Sequence, residues 1–312
     1  MFRTGKILAG VAAAVLLFGL VAQGKDAPNA AGAGQDTPNA VGAGQGGETD
    51  RAQADKSGFH LFRPTPEALL REMATDRPDK TEGPTTVDAG HFQVEMDFAT
   101  YTRDRQEGVR TNVWNVAPFN LRVGLLNNLE FDLIFGSYLH ETVKDWRARA
   151  ESRNSGVGDF LARCKINLWG NDGGATALAI LPFVKFPTNS GGFGNDSIEG
   201  GVLFPLAVKL PAGFELGMET GVEFLRDEVG GGRHAGIIDS VTVAHSLVGK
   251  LSGYAEFFSE VSTERGTGWE GTLDFGLTYL VTKNVQLDGG CNFGLTRAAD
   301  DLNFFTGISF RY

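Results

Sequence analysis

Between Phe214 and Leu225 the chain alternates strictly. Phe214, Leu216, Met218, Val222 and Phe224 fall on one side, and Glu215, Gly217, Glu219, Gly221 and Glu223 on the other. A period of two is the signature of a strand with one apolar and one polar face. From His91 to Tyr312 twelve segments carry such a pattern, near 92–101, 111–124, 129–138, 157–169, 175–186, 198–210, 214–225, 237–248, 251–261, 269–281, 285–295 and 302–312. The connections alternate in length. Tight turns (Asn127-Asn128, 170–174, 211–213, Gly249-Lys250, 282–284) follow the even strands, and longer polar loops such as 139–156, 187–197, 226–236 and 296–301 follow odd ones. An even number of strands with short turns at one end and long loops at the other predicts an all-β fold, an antiparallel transmembrane β-barrel of twelve strands.

The apolar faces are numerous enough to clothe a barrel. Phe92/Val94/Met96/Phe98, Phe119/Leu121/Val123, Leu129/Phe131/Leu133/Phe135 and Leu273/Phe275/Leu277/Tyr279 repeat the arrangement, whereas the fifth segment is apolar on both faces and gives no register. With those faces toward outer-membrane lipid, the lumen receives Glu95, Asp97, Glu130, Asp132, Glu215, Glu219, Glu223 and Asp288. Glu256 and Asp274 join them, against Arg122, Arg163 and Lys165 among the bases. Two readings stay open: charges that fill the barrel with ion pairs, and an acidic pore whose field attracts cations. Tyr101, Tyr138 and Trp269 mark the predicted outer rim and Trp169 and Tyr312 the inner, as interfacial girdles do, although Tyr101 and Trp169 have lumen parity and must lean outward. Phe304, Thr306, Ile308, Phe310 and Tyr312 extend the alternation to the last residue. That pattern predicts closure of the last strand on the first, with Phe310 and Tyr312 as a signal for the barrel-assembly machinery.

Outside the strands the composition changes. Arg3 and Lys6, an apolar run over 7–22 and small residues before Lys25 read as a signal peptide over 1–24. Residues 25–57 form a low-complexity linker in which the decapeptide 26–35 recurs almost verbatim at 36–45. Over 58–90 a periplasmic segment is expected, with Thr65-Pro66-Glu67 opening a short helix lined by Leu69, Leu70 and Met73. It also carries Asp76, Arg77, Asp79, Lys80 and Glu82 just before the first strand. These five residues either plug the lumen, with Arg77 and Lys80 meeting Glu215, Glu219 or Glu223, or form a solvated strap below it.

The remaining chemistry is sparse. A net charge of −10 argues against nucleic acid. The five His lack metal-ligand spacing, and His245 and Ser246 lie on opposite faces of one strand, so neither a metal, a cofactor nor a catalytic residue is assigned. Cys164 and Cys291 fall on the apolar faces of non-neighbouring strands and are expected to be free thiols.

Four stretches, REMATDRPDKTEGPTTVDAGHFQVEMDF at 71–98, GVGDFLARCKINLWGNDGG at 156–174, ALAILPFVKFPT at 177–188 and GLTRAADDLNFFTGISFRY at 294–312, resemble an outer-membrane transporter family named for the meta-pathway of phenol degradation. The resemblance implies a β-barrel that passes small, often aromatic, solutes, and together with the signal peptide and strand pattern the expectation is a passive channel in the outer membrane of a Gram-negative bacterium. It supplies no catalytic residue. The alternative is a closed structural or surface-binding barrel with no transport role.

Overall fold

The computed structural model describes residues 55–227 and 231–312; the expected signal peptide and nearly all of the linker lie outside that range. Fifteen strand segments combine into twelve barrel strands. β1 is Phe92–Gln106. β2 runs in two pieces, Val109–Val116 and Phe119–Leu126, as do β3 (Leu129–Phe135, Tyr138–Asp145) and β4 (Ala150–Gly156, Phe160–Trp169). β5 is Thr176–Phe186, β6 Glu199–Lys209, β7 Phe214–Arg226, β8 Arg233–Val248, β9 Leu251–Ser262, β10 Trp269–Thr282, β11 Val285–Gly294 and β12 Leu302–Arg311. Each strand is antiparallel to its neighbours, and β12 pairs with β1 from Gln93↔Arg311 to Arg103↔Leu302, which closes the barrel; above it the upper half of β4 pairs on one side only, with β3. Phe92 and Tyr312 exchange backbone hydrogen bonds of 3.0 and 2.8 Å at the seam.

Three differences from the sequence expectation have local causes. The polar stretches at 102–110 and 139–156 are not loops: β1 and β2 meet at a turn after Gln106, and the upper halves of β3 and β4 pair from Leu139↔Gly156 to Asp145↔Ala150. Charged side chains do not oppose a hairpin whose two faces are both wet, so composition hid these strands. The register of β1 shifts between Asp97 and Ala99. Beyond that bulge Tyr101 pairs with Phe304, and both rings share the apolar exterior. A second shift, between Asn167 and Trp169, sets Trp169 opposite Leu178 and turns it outward in the same way. The helix expected after Thr65 shrinks to one 3-10 turn, Glu67–Leu69, flanked by extended Pro66 and Leu70. The backbone here bonds to the chain ahead of β1 instead: Thr65 N–H donates to Ala89 O at 2.9 Å and Arg71 N–H to the Asp88 carboxylate at 3.0 Å.

The burial pattern inverts that of a soluble protein. Arg122, Glu130, Asp132, Lys165 and Asp274 are fully buried, while Trp114, Phe224, Leu277 and Phe304 stand 47–57 % exposed. Polar inside and apolar outside is the arrangement a bilayer demands of a barrel. Cys164 (opposite Phe131) and Cys291 (opposite Phe275) are free thiols on β4 and β11.

Candidate functional site: the barrel interior and the segment inside it

Three adjacent strands build a charge lattice. Arg122 on β2 lies directly across from Asp132 on β3, which lies across from Arg163 on β4; one step toward the short turns Glu130 faces Lys165. The motifs E-F-D on β3 and R-C-K on β4 produce it, because period two sends each first and third residue inward. Arg122 donates to Glu95 at 2.7 Å and to Glu130 at 2.8 Å, and Lys165 lies 3.2 Å from Glu130.

Residues 75–89 complete the lattice from inside. Asp76 sits 2.6 Å from Lys165 and 3.3 Å from Arg122, and its backbone N–H donates to Glu95 at 3.1 Å. Arg77 bridges to Asp97 and Asp288, each at 2.6 Å, under the Phe305 ring. Lys80 donates to Thr272 at 2.9 Å, lies 3.4 Å from Asp274 and packs on the Phe258 ring. The Lys80 and Thr81 backbone N–H groups both donate to Glu256, at 2.9 and 2.7 Å, and the Thr81 hydroxyl is 2.7 Å from that of Ser240. Glu82 pairs with Arg163, and its N–H donates to Glu219 at 3.3 Å. Gly83 N–H returns to the Asp76 carboxylate at 3.1 Å and closes the loop. Val87 N–H then donates to Glu130 at 2.5 Å as the chain turns back toward β1. Partners on β1–β4 and on β7–β12 can all be reached only from within the closed sheet, so this stretch lies in the lumen and is not a solvated strap. Gly307 and Gly124 leave room for it. A Cβ on Gly307 would stand 2.4 Å from the Arg77 guanidinium, and one on Gly124 2.1 Å from Asp88 O.

The expected partners of the segment differ in detail. Arg77 and Lys80 do not meet Glu215, Glu219 or Glu223. Loop 76–83 crosses the barrel toward β9–β11, so its bases find Asp288 and Asp274, and Glu219 is met by a backbone N–H instead. Glu215 is exposed at the short-turn rim, and Glu223 faces Glu260. Asp79 packs beside Glu256. Asp76, Glu130 and Asp132 converge closely enough to suggest a cation site, but Lys165, Arg122 and Arg163 occupy the gaps between them.

Sequence reasoning missed the anchor at the short-turn rim. Asp172, in the turn after β4, receives Lys56 Nζ at 2.7 Å, Arg71 Nε at 2.9 Å and Asn127 Nδ2 at 2.7 Å. Arg311 Nη1 donates to Arg71 O at 2.9 Å. Burial pushes the Asp172 carboxyl up, but the hydrogen bonds from Lys56 and Asn127 and the charge of Arg71 outweigh it and hold it at about 2. A carboxyl depressed from its usual 3.8 stabilises the docked state at pH above about 4 and loses that contribution as pH falls toward 2. A spin label at Ser57 should therefore gain mobility as pH drops from about 4 to about 2, and Asp172→Asn should give the mobile spectrum at neutral pH; an immobile label in both cases would remove Asp172 from the anchor. A lone Asp in a Gly-rich turn offers no sequence signal for this role.

A closed, even-stranded antiparallel barrel, apolar and aromatic-edged outside and ionic inside, is a transmembrane β-barrel of the bacterial outer-membrane type. A family profile matches residues 75–312, and the chain belongs to the family described as "Putative MetA-pathway of phenol degradation". Among solved structures, an outer membrane channel from Pseudomonas putida F1 is similar over 77 % of this chain and 100 % of its own, at 13 % identity and a TM-score of 0.52. The transport unit of the autotransporter AIDA-I from Escherichia coli aligns over 77 % and 92 % at 10 % identity and a TM-score of 0.48. The NanC porin aligns over 70 % and 98 % at 10 % identity and 0.44. These likenesses are of fold. No curated protein sequence matches the chain.

Proposed function

We propose that the protein is an outer-membrane channel for passive uptake of small hydrophobic or aromatic solutes, closed at rest by residues 75–89. The observation that carries this reading is the segment itself. It is held by ion pairs and backbone hydrogen bonds, with no sheet pairing to β1–β12, so it can leave without breaking the barrel. A purely structural filler would have no reason to be a separable strand of chain.

The solute class is supported by the wall the segment does not bond to. Its polar contacts reach neither β5 nor β6, where Ala177, Ala179, Leu181 and Leu203 form an inward apolar strip that runs from the short-turn side up to the Lys185–Glu199 ion pair. Further round, Tyr254, Phe258 and Phe305 line the interior beside Pro78, Lys80 and Arg77. An uncharged ring can slide along an apolar strip that offers a hydrated ion nothing. The family description points to the same solutes. The two-faced fifth segment of the sequence is explained by this strip.

The test is flux into proteoliposomes. The protein should admit phenol-sized neutral aromatics in preference to sugars of similar mass. Leu181→Glu with Leu203→Glu should reduce aromatic entry about tenfold and leave the barrel folded. Equal entry of aromatics and sugars, or no effect of the pair, would contradict the assignment. Phe310 and Tyr312 keep their expected role as an assembly signal in this reading.

A further inference from the structure

Above the belt, the outer face of β1–β4 changes character. The bulge in β1 and the interruptions in β2–β4 keep Tyr101, Trp114 and His140 in one outward row. Above it come Arg103–Asn112–Thr142–Arg153 and then Arg105–Arg110–Lys144–Glu151. Tyr101 lies nine residues beyond Phe92; at about 3.3 Å per residue and a 40° tilt that is about 23 Å, close to the height of an apolar belt. The Tyr101 and Trp114 rings, 4.9 Å apart, therefore mark the bilayer edge, and the arginines begin one row above it.

All of these side chains except Arg105 line a cleft of about 590 Å3 in which Arg103, Arg110, Lys144 and Arg153 face a single acid, Glu151. Glu151 is taken by Lys144 at 2.9 Å and Arg153 at 2.8 Å. Arg103 and Arg110 have no carboxylate partner among the described residues, and the buried Nε of each lacks an acceptor. Arg110 rests on the Trp146 ring at 5.2 Å, which fixes its plane without neutralising it. In a chain of net charge −10 this is a local reversal of sign at the level of lipid headgroups.

We propose that this cleft binds the phosphate groups of a phosphorylated lipid in the outer leaflet, with Arg103 and Arg110 as the main phosphate ligands, Lys144 as support and Tyr101 and Trp114 against the acyl chains. Guanidinium forks match phosphate oxygens. The aromatic floor selects a ligand with an apolar tail, which separates a lipid from a free anion. The inference requires that the barrel sit in a bilayer and is independent of what passes through it.

The test uses the full chain in detergent micelles with three probes: lipid A carrying two phosphates, the same lipid with its phosphates removed, and inorganic phosphate. Retained lipid is counted by native mass spectrometry. Arg103→Ser with Arg110→Ser should weaken binding of phosphorylated lipid A at least tenfold, with heat-modifiable gel mobility unchanged as the control for folding. Lys144→Ser should weaken it less. The dephosphorylated lipid should bind wild type and double variant alike, and weakly. Unchanged affinity in the double variant, or equal binding of the dephosphorylated lipid by the wild type, would overturn the proposal. Displacement of lipid A by equimolar inorganic phosphate would reassign the cleft as a free-anion site and overturn it too.

Discussion

Deleting residues 58–84 should convert a barrel that is silent in a planar bilayer into one that conducts in discrete, cation-preferring steps. The direction follows from the charges left behind. Asp97 and Asp288 lose Arg77, Asp274 loses Lys80, and Glu256 loses two backbone N–H donors. The wall that faced the segment would then hold Glu95, Asp97, Glu130, Asp132, Glu219, Glu256, Asp274 and Asp288 against Arg122, Arg163 and Lys165. Water must enter to solvate those carboxylates, and their field favours cations. A milder variant separates occlusion from charge: Arg77→Ser with Lys80→Ser keeps the segment but removes its ion pairs with Asp274, Asp288 and Asp97, so brief openings are expected at the conductance of the deletion. Reversal potentials measured across a salt gradient check both. A deletion that stays sealed would mean that something other than this segment closes the lumen.

The second large effect is on stability. Arg122→Ala should cost about 3–5 kcal/mol, the usual loss when one partner of a buried ion pair is removed. Arg122 is fully buried, contacts Glu95, Glu130 and Asp76, and also donates to Thr85 O at 3.0 Å, so it ties β1, β3 and both limbs of the lumen segment together. Its loss leaves buried Glu95 without a cation and Glu130 and Asp76 sharing Lys165. Combining Arg122→Met with Glu95→Gln and Glu130→Gln should restore much of the loss, because the stranded charge, not the missing contact, is the main cost. Urea unfolding followed by tryptophan fluorescence would read both. A loss below about 1 kcal/mol for the single variant would show the site to be hydrated and the lattice weak.

How far the sequence reached depended on whether a residue's surroundings were local. Strands bathed in lipid on one side announce themselves by period two, which is why β7 and β10 were legible. The top of β1 and the upper halves of β3 and β4 were hidden because their residues are polar on both faces, and the register of β5 because its inward face is apolar. Trp114 was missed since the break between Val116 and Phe119, with Ala117 at φ 53°, breaks the simple alternation. The D-R-P-D-K-T-E motif stood out from residues 76–82, but its partners are fixed by the path of a loop, and no periodicity encodes that path. Lys56 and Arg71 contact Asp172 across 116 and 101 residues, a distance no local pattern spans.

The central claim is that residues 75–89 must move for the channel to open. Thr81→Cys with Ser240→Cys, in a chain carrying Arg77→Ser and Lys80→Ser to permit openings and Cys164→Ala and Cys291→Ala to remove other thiols, places two thiols where hydroxyls now lie 2.7 Å apart, one on the segment and one on the wall. Single-channel recording of this variant, first oxidised and then reduced in the same bilayer, is the most direct measurement. The account predicts silence when the bridge is closed and openings that return with reductant. Equal conductance in both states would contradict it.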